Sequence, residues 1–178
     1  KQFPTVQTYL SEMSTAKQME ALKENQLDIC FSRSPEQNHF FLNKVIKEEP
    51  FSLVVPLNHL LTKKKVKALT DVKNEPFILP SKTDGEEYYS IIMNLCTEAG
   101  FEPRVVHESV NGNTVLKLVE SGLGISILPS SFKKYNAEKV KFIDLKQYTS
   151  RAKLFVVWNK LNKNPILKQA IALIKKER

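Results

Sequence analysis

Stretches of helical period alternate with short apolar runs along most of this chain, and residues 118–131, LVESGLGISILPSS, compress the rule. An apolar helical turn ends at Gly122, which is free to take the left-handed C′ conformation. Gly124 leaves room for close helix-to-strand packing. The run ISIL then reads as a strand closed by Pro129, and Ser130 and Ser131 open the next helix, where a hydroxyl caps free amides.

The same alternation extends in both directions. TVQTYLSEM reads as a strand. STAKQMEALKEN reads as a helix with Ser14 or Thr15 as N-cap, a Thr15–Gln18 capping box and Asn25 as its stop, and LDICFS as the next strand, together a β-α-β unit. Residues 51–56 give a further strand, VKALTDVKNE a short helix, and FILP a strand running into the polar loop SKTDG. EEYYSIIMNLCTEAGF places Ile92, Leu95, Cys96 and Ala99 on one helical face, with Gly100 at C′ and Pro103 barring continuation. RVVHE is a buried-looking strand, and Thr114 caps the helix TVLKLVES after the loop SVNGN. AKLFVVWNK is a last strand, followed by a helix with Pro165 in its first turn. Such a chain predicts mostly parallel sheets with helices on both faces, and such sheets bind ligands outside the carboxyl ends of their strands.

Three hydroxyl-bearing loops fall at such ends: Glu12 to Thr15, Pro80 to Thr83 and Ser109 to Thr114. Each opens a helix or can do so, and exposed helix-start amides favour anions, so a pocket built from these loops suits a carboxylate. Taken singly, each loop is better explained as an ordinary N-cap; it is the convergence of three that supports a site.

Other chemistry is scarce. The formal charge of +8 comes partly from Lys63, Lys64, Lys65 and Lys67 and from the terminal KKER, with no interleaved aromatics and no nucleic-acid-binding pattern. These lysines read as a solvated basic face or a diffuse field that concentrates small anions. His39, His59 and His107 lack metal-ligand spacing or a nucleophile partner. There is no GxGxxG or other glycine-rich phosphate loop, so the chain implies no enzyme, no cofactor and no metal. Cys30 and Cys96 sit in apolar patterns as reduced core thiols. No apolar stretch approaches the roughly 18 to 20 residues that span a bilayer, and the amino end has no signal-peptide core, which predicts a cytoplasmic location and no membrane partner.

The ordered motifs PLNHLL, DVKNEPFIL, CTEAGFEPRVVHE, LVESGLGISILPSS and FVVWNK, with NPIL leading the last helix, resemble the effector-binding domain of LysR-type transcriptional regulators over nearly the whole chain. The resemblance implies two Rossmann-like α/β lobes with mostly parallel sheets, joined by two crossover strands as in type 2 periplasmic binding proteins. A small-molecule effector, expected to be a carboxylate or other anion, lies in the cleft. It implies lobe I from residues 1–76 and 147–178, its first strand missing, lobe II from 77–146, and a winged helix-turn-helix DNA-binding domain outside these residues.

Carried over to this sequence, the effector loops fall on Ser14 and Thr15, on Ser81, Lys82 and Thr83, and on Asn111, Asn113 and Thr114, with Pro129 brought toward the hinge and cleft. The implied partners are the effector, DNA through the absent domain, and further copies in a homodimer or homotetramer. The pairing surfaces expected are Ala16 to Asn25 with Leu27 to Phe31, and the helix Glu86 to Ala99. A periplasmic-type solute-binding protein for a small anion is the alternative reading.

Overall fold

The computed structural model describes residues 4–35, 38–63, 68–83, 85–134 and 138–174. Lys64, Lys65, Lys67, Asp84 and the terminal KKER lie outside the described residues, as does the start of the helix expected at VKALTDVKNE.

The first sheet has the order β1 (Cys30–Ser32), β8 (Ala152–Asn159), β2 (Phe41–Glu49), with antiparallel pairing throughout. Helix α1 (Thr15–Lys23) covers it, burying Met19 and Leu22 against Cys30, Phe41, Phe155 and Val157. Ser14 is the N-cap, its Oγ accepting from Lys17 N at 3.4 Å. Gln18 turns back to Met13 O at 3.1 Å, which takes its side chain away from the expected capping box. Asn25, at φ 58°, stops the helix as expected.

The strand expected at TVQTYLSEM is not formed. A strand needs a neighbour's N–H and C=O groups, and residues 6–14 have no ladder partner among the described residues, leaving Tyr9 and Leu10 exposed. Hence the β-α-β unit is not realised either, because β1 pairs only with antiparallel β8.

The second body holds β3 (Phe51–Pro56), β4 (Pro76–Pro80), β5 (Arg104–Ser109), β6 (Ser126–Pro129) and β7 (Val140–Asp144). Strand β3 lies between β6 and β7, antiparallel to both, while β4 runs parallel to β5. A parallel bridge from Phe77 to Ile125 joins the two groups. Mostly parallel pairing therefore holds only around β4, because the strands that carry the chain between lobes run against their neighbours.

Helices α2 (Glu86–Glu98) and α3 (Gly112–Glu120) cover opposite faces. Phe77 and Leu79 point into the cluster with Ile92, Leu95 and Cys96, whereas Ile78 points into the one with Val115, Leu116 and Val119. Burial on both faces is why FILP is apolar at every position. Strand β5, which the sequence suggests is buried, is an edge strand with Arg104, His107 and Glu108 exposed.

The chain leaves the first sheet at Pro50, between the pairs Glu49–Ala152 and Phe51–Pro129, and returns between Asp144 and Ala152. Strand pairing thus places residues 51–56 with the middle of the chain rather than with its ends, where the sequence reading puts them. The physical reason is that FSLVVP is buried at all its positions and needs a neighbour on each side, and only β6 and β7 supply them. Near the end, helix α4 (Leu167–Leu173) is tied to the first sheet by Lys44 Nζ donating to Ile174 O at 3.0 Å.

Burial pushes the thiols of Cys30 and Cys96 up to about 12, from an ordinary 9.0. Unfolded thiols ionise first as the pH rises, so the native state binds more protons between those values, and stability is expected to fall as pH climbs from 9 toward 12. In the native chain at pH 8 neither thiol should react with Ellman's reagent, and both should react in urea. Fast native-state labelling of either one would contradict its burial.

Candidate functional site

The three hydroxyl-bearing loops meet. Asn111 Oδ1 accepts from Asn113 N at 2.8 Å and Thr114 N at 3.4 Å, so Asn111, not Thr114, caps α3. Its Nδ2 reaches across to the carboxylate of Glu12, in the loop before α1. Ser81 N donates to Ser109 O at 3.0 Å, joining the second loop to the third, and Ser81 and Thr83 share a hydroxyl hydrogen bond of 3.0 Å.

A cleft of about 220 Å³ opens among these loops, and Thr15 and Ser81 line it. A broader hollow of about 710 Å³ adjoins it, lined by Thr15 and Thr83 among others. Ser14, Lys82, Asn111, Asn113, Thr114 and Pro129 line neither. Ser14 and Asn111 serve as caps, Lys82 N donates to Glu108 Oε2 at 3.2 Å, and Pro129 pairs with Phe51. Its neighbour Leu128 contributes to the wall instead.

The strongest electrostatic feature was not evident from sequence. Arg33, just past β1, lines the cleft and donates through Nη2 to Glu49 Oε1 at 2.9 Å. Glu49, buried at the end of β2, also accepts from Ser131 N at 2.6 Å and Ser131 Oγ at 3.0 Å. The paired serines open a short 3-10 helix, Ser130–Lys134, as expected, but their hydroxyls tie the end of β6 to the crossover instead of capping it, with Ser130 Oγ donating to Pro50 O at 2.9 Å. In the sequence Glu49 is one of two glutamates before a proline and looks like surface charge, and Arg33 sits in a turn without a motif.

Tyr88 lines the cleft and stacks on Phe51 with ring centroids 6.0 Å apart. Burial raises its phenol pKa, with Arg33 opposing and Glu49 reinforcing the shift. Phe132 forms another wall, against the first turn of α3. A Cβ on Gly112 would lie 2.5 Å from its ring, so glycine there lets the ring close over the helix start. Among the described residues no group of three or more His, Cys, Asp or Glu is placed to hold a metal, and no helix is long and apolar enough to cross a membrane.

Two α/β bodies on separate sheets, two crossings between them and a cleft where their loops meet define a two-lobed domain of the type 2 periplasmic-binding-protein kind. The family model described as LysR substrate binding domain matches residues 1–178, and the chain belongs to that family.

Among curated relatives, it is 31% identical over 171 residues to the HTH-type transcriptional regulator AlsR of Bacillus subtilis, covering 96% of this chain and 57% of AlsR. It is 26% identical over 165 residues to CatR of Pseudomonas putida, covering 93% and 57%. The chain thus spans little more than half the length of these regulators. The effector binding domain of a BenM variant superposes with a TM-score of 0.81 at 23% identity, covering 97% of this chain and 81% of that one. The BenM domain solved with its effector benzoate gives 0.73 at 23%, covering 96% and 81%. At these identities the likeness shows the fold.

Proposed function

We propose that this chain is the sensing part of a cytoplasmic, non-enzymatic transcription regulator of the LysR type, and that a small carboxylate or related anion binds in the cleft between its lobes. The observation that carries the reading is the cleft itself, an opening of mixed polar and apolar lining where loops of both lobes converge and whose charged lining residue is Arg33. The regulators similar to this chain support it, as does the benzoate effector of BenM. A ligand held by both lobes favours one inter-lobe angle, and in an oligomer that angle sets how DNA-binding domains sit on their half-sites. The ligand acts only through its differential affinity for the two states.

A thermal-shift screen of the chain against small carboxylates and neutral metabolites tests this, since a ligand that binds only the folded form raises the melting temperature. Thr15→Val is the sharper probe of the first loop, because Ser14 also caps α1. Loss of one hydrogen bond to a charged ligand should weaken binding roughly tenfold or more. An unchanged dissociation constant by calorimetry removes Thr15 from the site.

Self-association belongs to the same proposal, through α1 with β1 on one lobe and α2 on the other, in an isologous pair. Met19 and Leu22 are core residues, so charging either would test folding; Lys17, Glu20 and Lys23 form the exposed face of α1. Sedimentation at micromolar concentration should show a species above the 20.4 kDa monomer. A concentration-independent monomer rejects the pairing.

A further inference from the structure

Helices α2 and α3 of lobe II both start at the cleft, where Gly85 and Gly112 line its wall, and each start is met by a side chain of lobe I. At α3, Asn111 caps the helix through Oδ1 and gives its Nδ2 to the Glu12 carboxylate. At α2, lobe I supplies the cap itself. The N-cap position there is Gly85, which has no side chain to offer, and Glu87 N donates instead to Ser34 Oγ at 3.1 Å. Helices α1 and α3 carry their own caps, Ser14 and Asn111. Ser34 is positioned from its own lobe, because its N–H donates at 3.1 Å to the Oγ of Ser32, which is buried in β1 opposite Phe155 of β8. A first-turn amide has no acceptor inside its helix, so the bond at Glu87 lasts only while the two lobes stay together.

We infer that Ser34 is a cross-lobe cap that couples closure of the cleft to order in the first turn of α2, with the Glu12–Asn111 contact as a second strap between the lobes. When the lobes part, Ser34 leaves with β1, Glu87 N loses its acceptor, and the first turn of α2 frays. When they close, the turn is rebuilt. One net hydrogen bond changes such an equilibrium roughly fivefold. Glycine at position 85 is what makes the coupling possible, because a serine there caps α2 from within its own lobe and leaves the helix indifferent to closure. The first turn of α2 is thus an element with two states, and the lobe angle biases which one is populated. The inference rests on the sensing reading and deepens it by naming how the lobe angle is read out, since α2 is also the lobe II element of the proposed pairing surface. The coupling itself belongs to the fold and needs no ligand to be observed.

Exchange of the Glu87 amide with solvent, resolved by nuclear magnetic resonance on the purified chain with no ligand added, tests this. Ser34→Ala should speed that exchange roughly fivefold, which establishes the cap. Glu12→Ala tests the coupling, because the hydrogen bond of Glu12 is to the start of α3. It should speed Glu87 exchange as well, by weakening closure, and should add nothing once residue 34 is alanine. Gly85→Ser, whose Cβ would meet nothing closer than 3.8 Å, should keep Glu87 slow in both backgrounds. Amides in the last turn of α2 should exchange as in the wild type throughout, which separates fraying from loss of the fold. Should Ser34→Ala fail to fold, Glu12→Ala with and without Gly85→Ser decides alone. An unchanged Glu87 rate in Ser34→Ala or in Glu12→Ala overturns the inference, and so do effects of the two that simply multiply. None of these outcomes involves a ligand, so a negative result leaves the sensing reading to the thermal-shift screen.

Discussion

Glu49→Ala is expected to lower the stability of this chain by about 3 kcal/mol, the lower end of what removing one partner of a buried ion pair costs. Glu49 is 6% exposed and accepts from the Arg33 guanidinium, the Ser131 amide and the Ser131 hydroxyl. The substitution strands all three donors at the point where the chain crosses between sheets. Arg33 keeps 22% of its side-chain surface, so water recovers part of the loss, which sets the estimate at the low end. The urea midpoint measures the effect. Glu49→Gln, which keeps an acceptor, should cost clearly less, and moderate salt should change the difference little because a buried pair is poorly screened. A loss below about 1 kcal/mol, the range of an exposed pair, would mean that the network does not hold the crossing.

Gly124→Ala should cost about as much, for a different reason. A Cβ at position 124 would lie 2.6 Å from Pro76 O and 3.1 Å from Ile78 Cγ1. Pro76 O is backbone, and it accepts from Ile125 N at 2.8 Å, so it cannot retreat without opening the bridge that joins β4 to β6. Overpacking of this kind costs roughly 1–3 kcal/mol, and the lost bridge adds to it. Gly122→Ala makes the control. Nothing lies within 4 Å of its Cβ position, but φ is +77°, so the cost is backbone strain alone, about 1 kcal/mol. If the two variants melt together, close strand approach at Gly124 is not what its glycine provides.

These two glycines show how far the sequence could be read. The helix stop at Gly122 was legible because a left-handed C′ position is a local requirement. Close packing at Gly124 was legible as a need for space, although the partner is the backbone of β4 and not a helix. Asn25, Gly100 and the apolar face of α2 were readable for the same reason. Strands β2 and β7 were not named, because FLNKVIKEE carries charges and a break in register between Val45 and Lys47, and VKFID is short and half exposed.

The site divides along the same line. Of the residues placed in the loops by sequence, Thr15, Ser81 and Thr83 line the cleft or its adjoining hollow, whereas Asn111 and Ser14 are occupied as caps. Arg33 and Glu49 were missed, because what distinguishes them is the polar atom each presents to residues distant along the chain.

The sequence by itself determined α1, α2 and α3 with their stops, the strands at 51–56, 76–80 and 126–129, and the family, since each depends on neighbours within a few residues or on the order of motifs. Only the tertiary structure decided which strands pair, where the chain crosses between lobes, and which charge faces the cleft. Pairing and burial are set by long-range contacts, and one residue in a pattern cannot record whether its partner lies 16 or 82 positions away, as the two partners of Glu49 do.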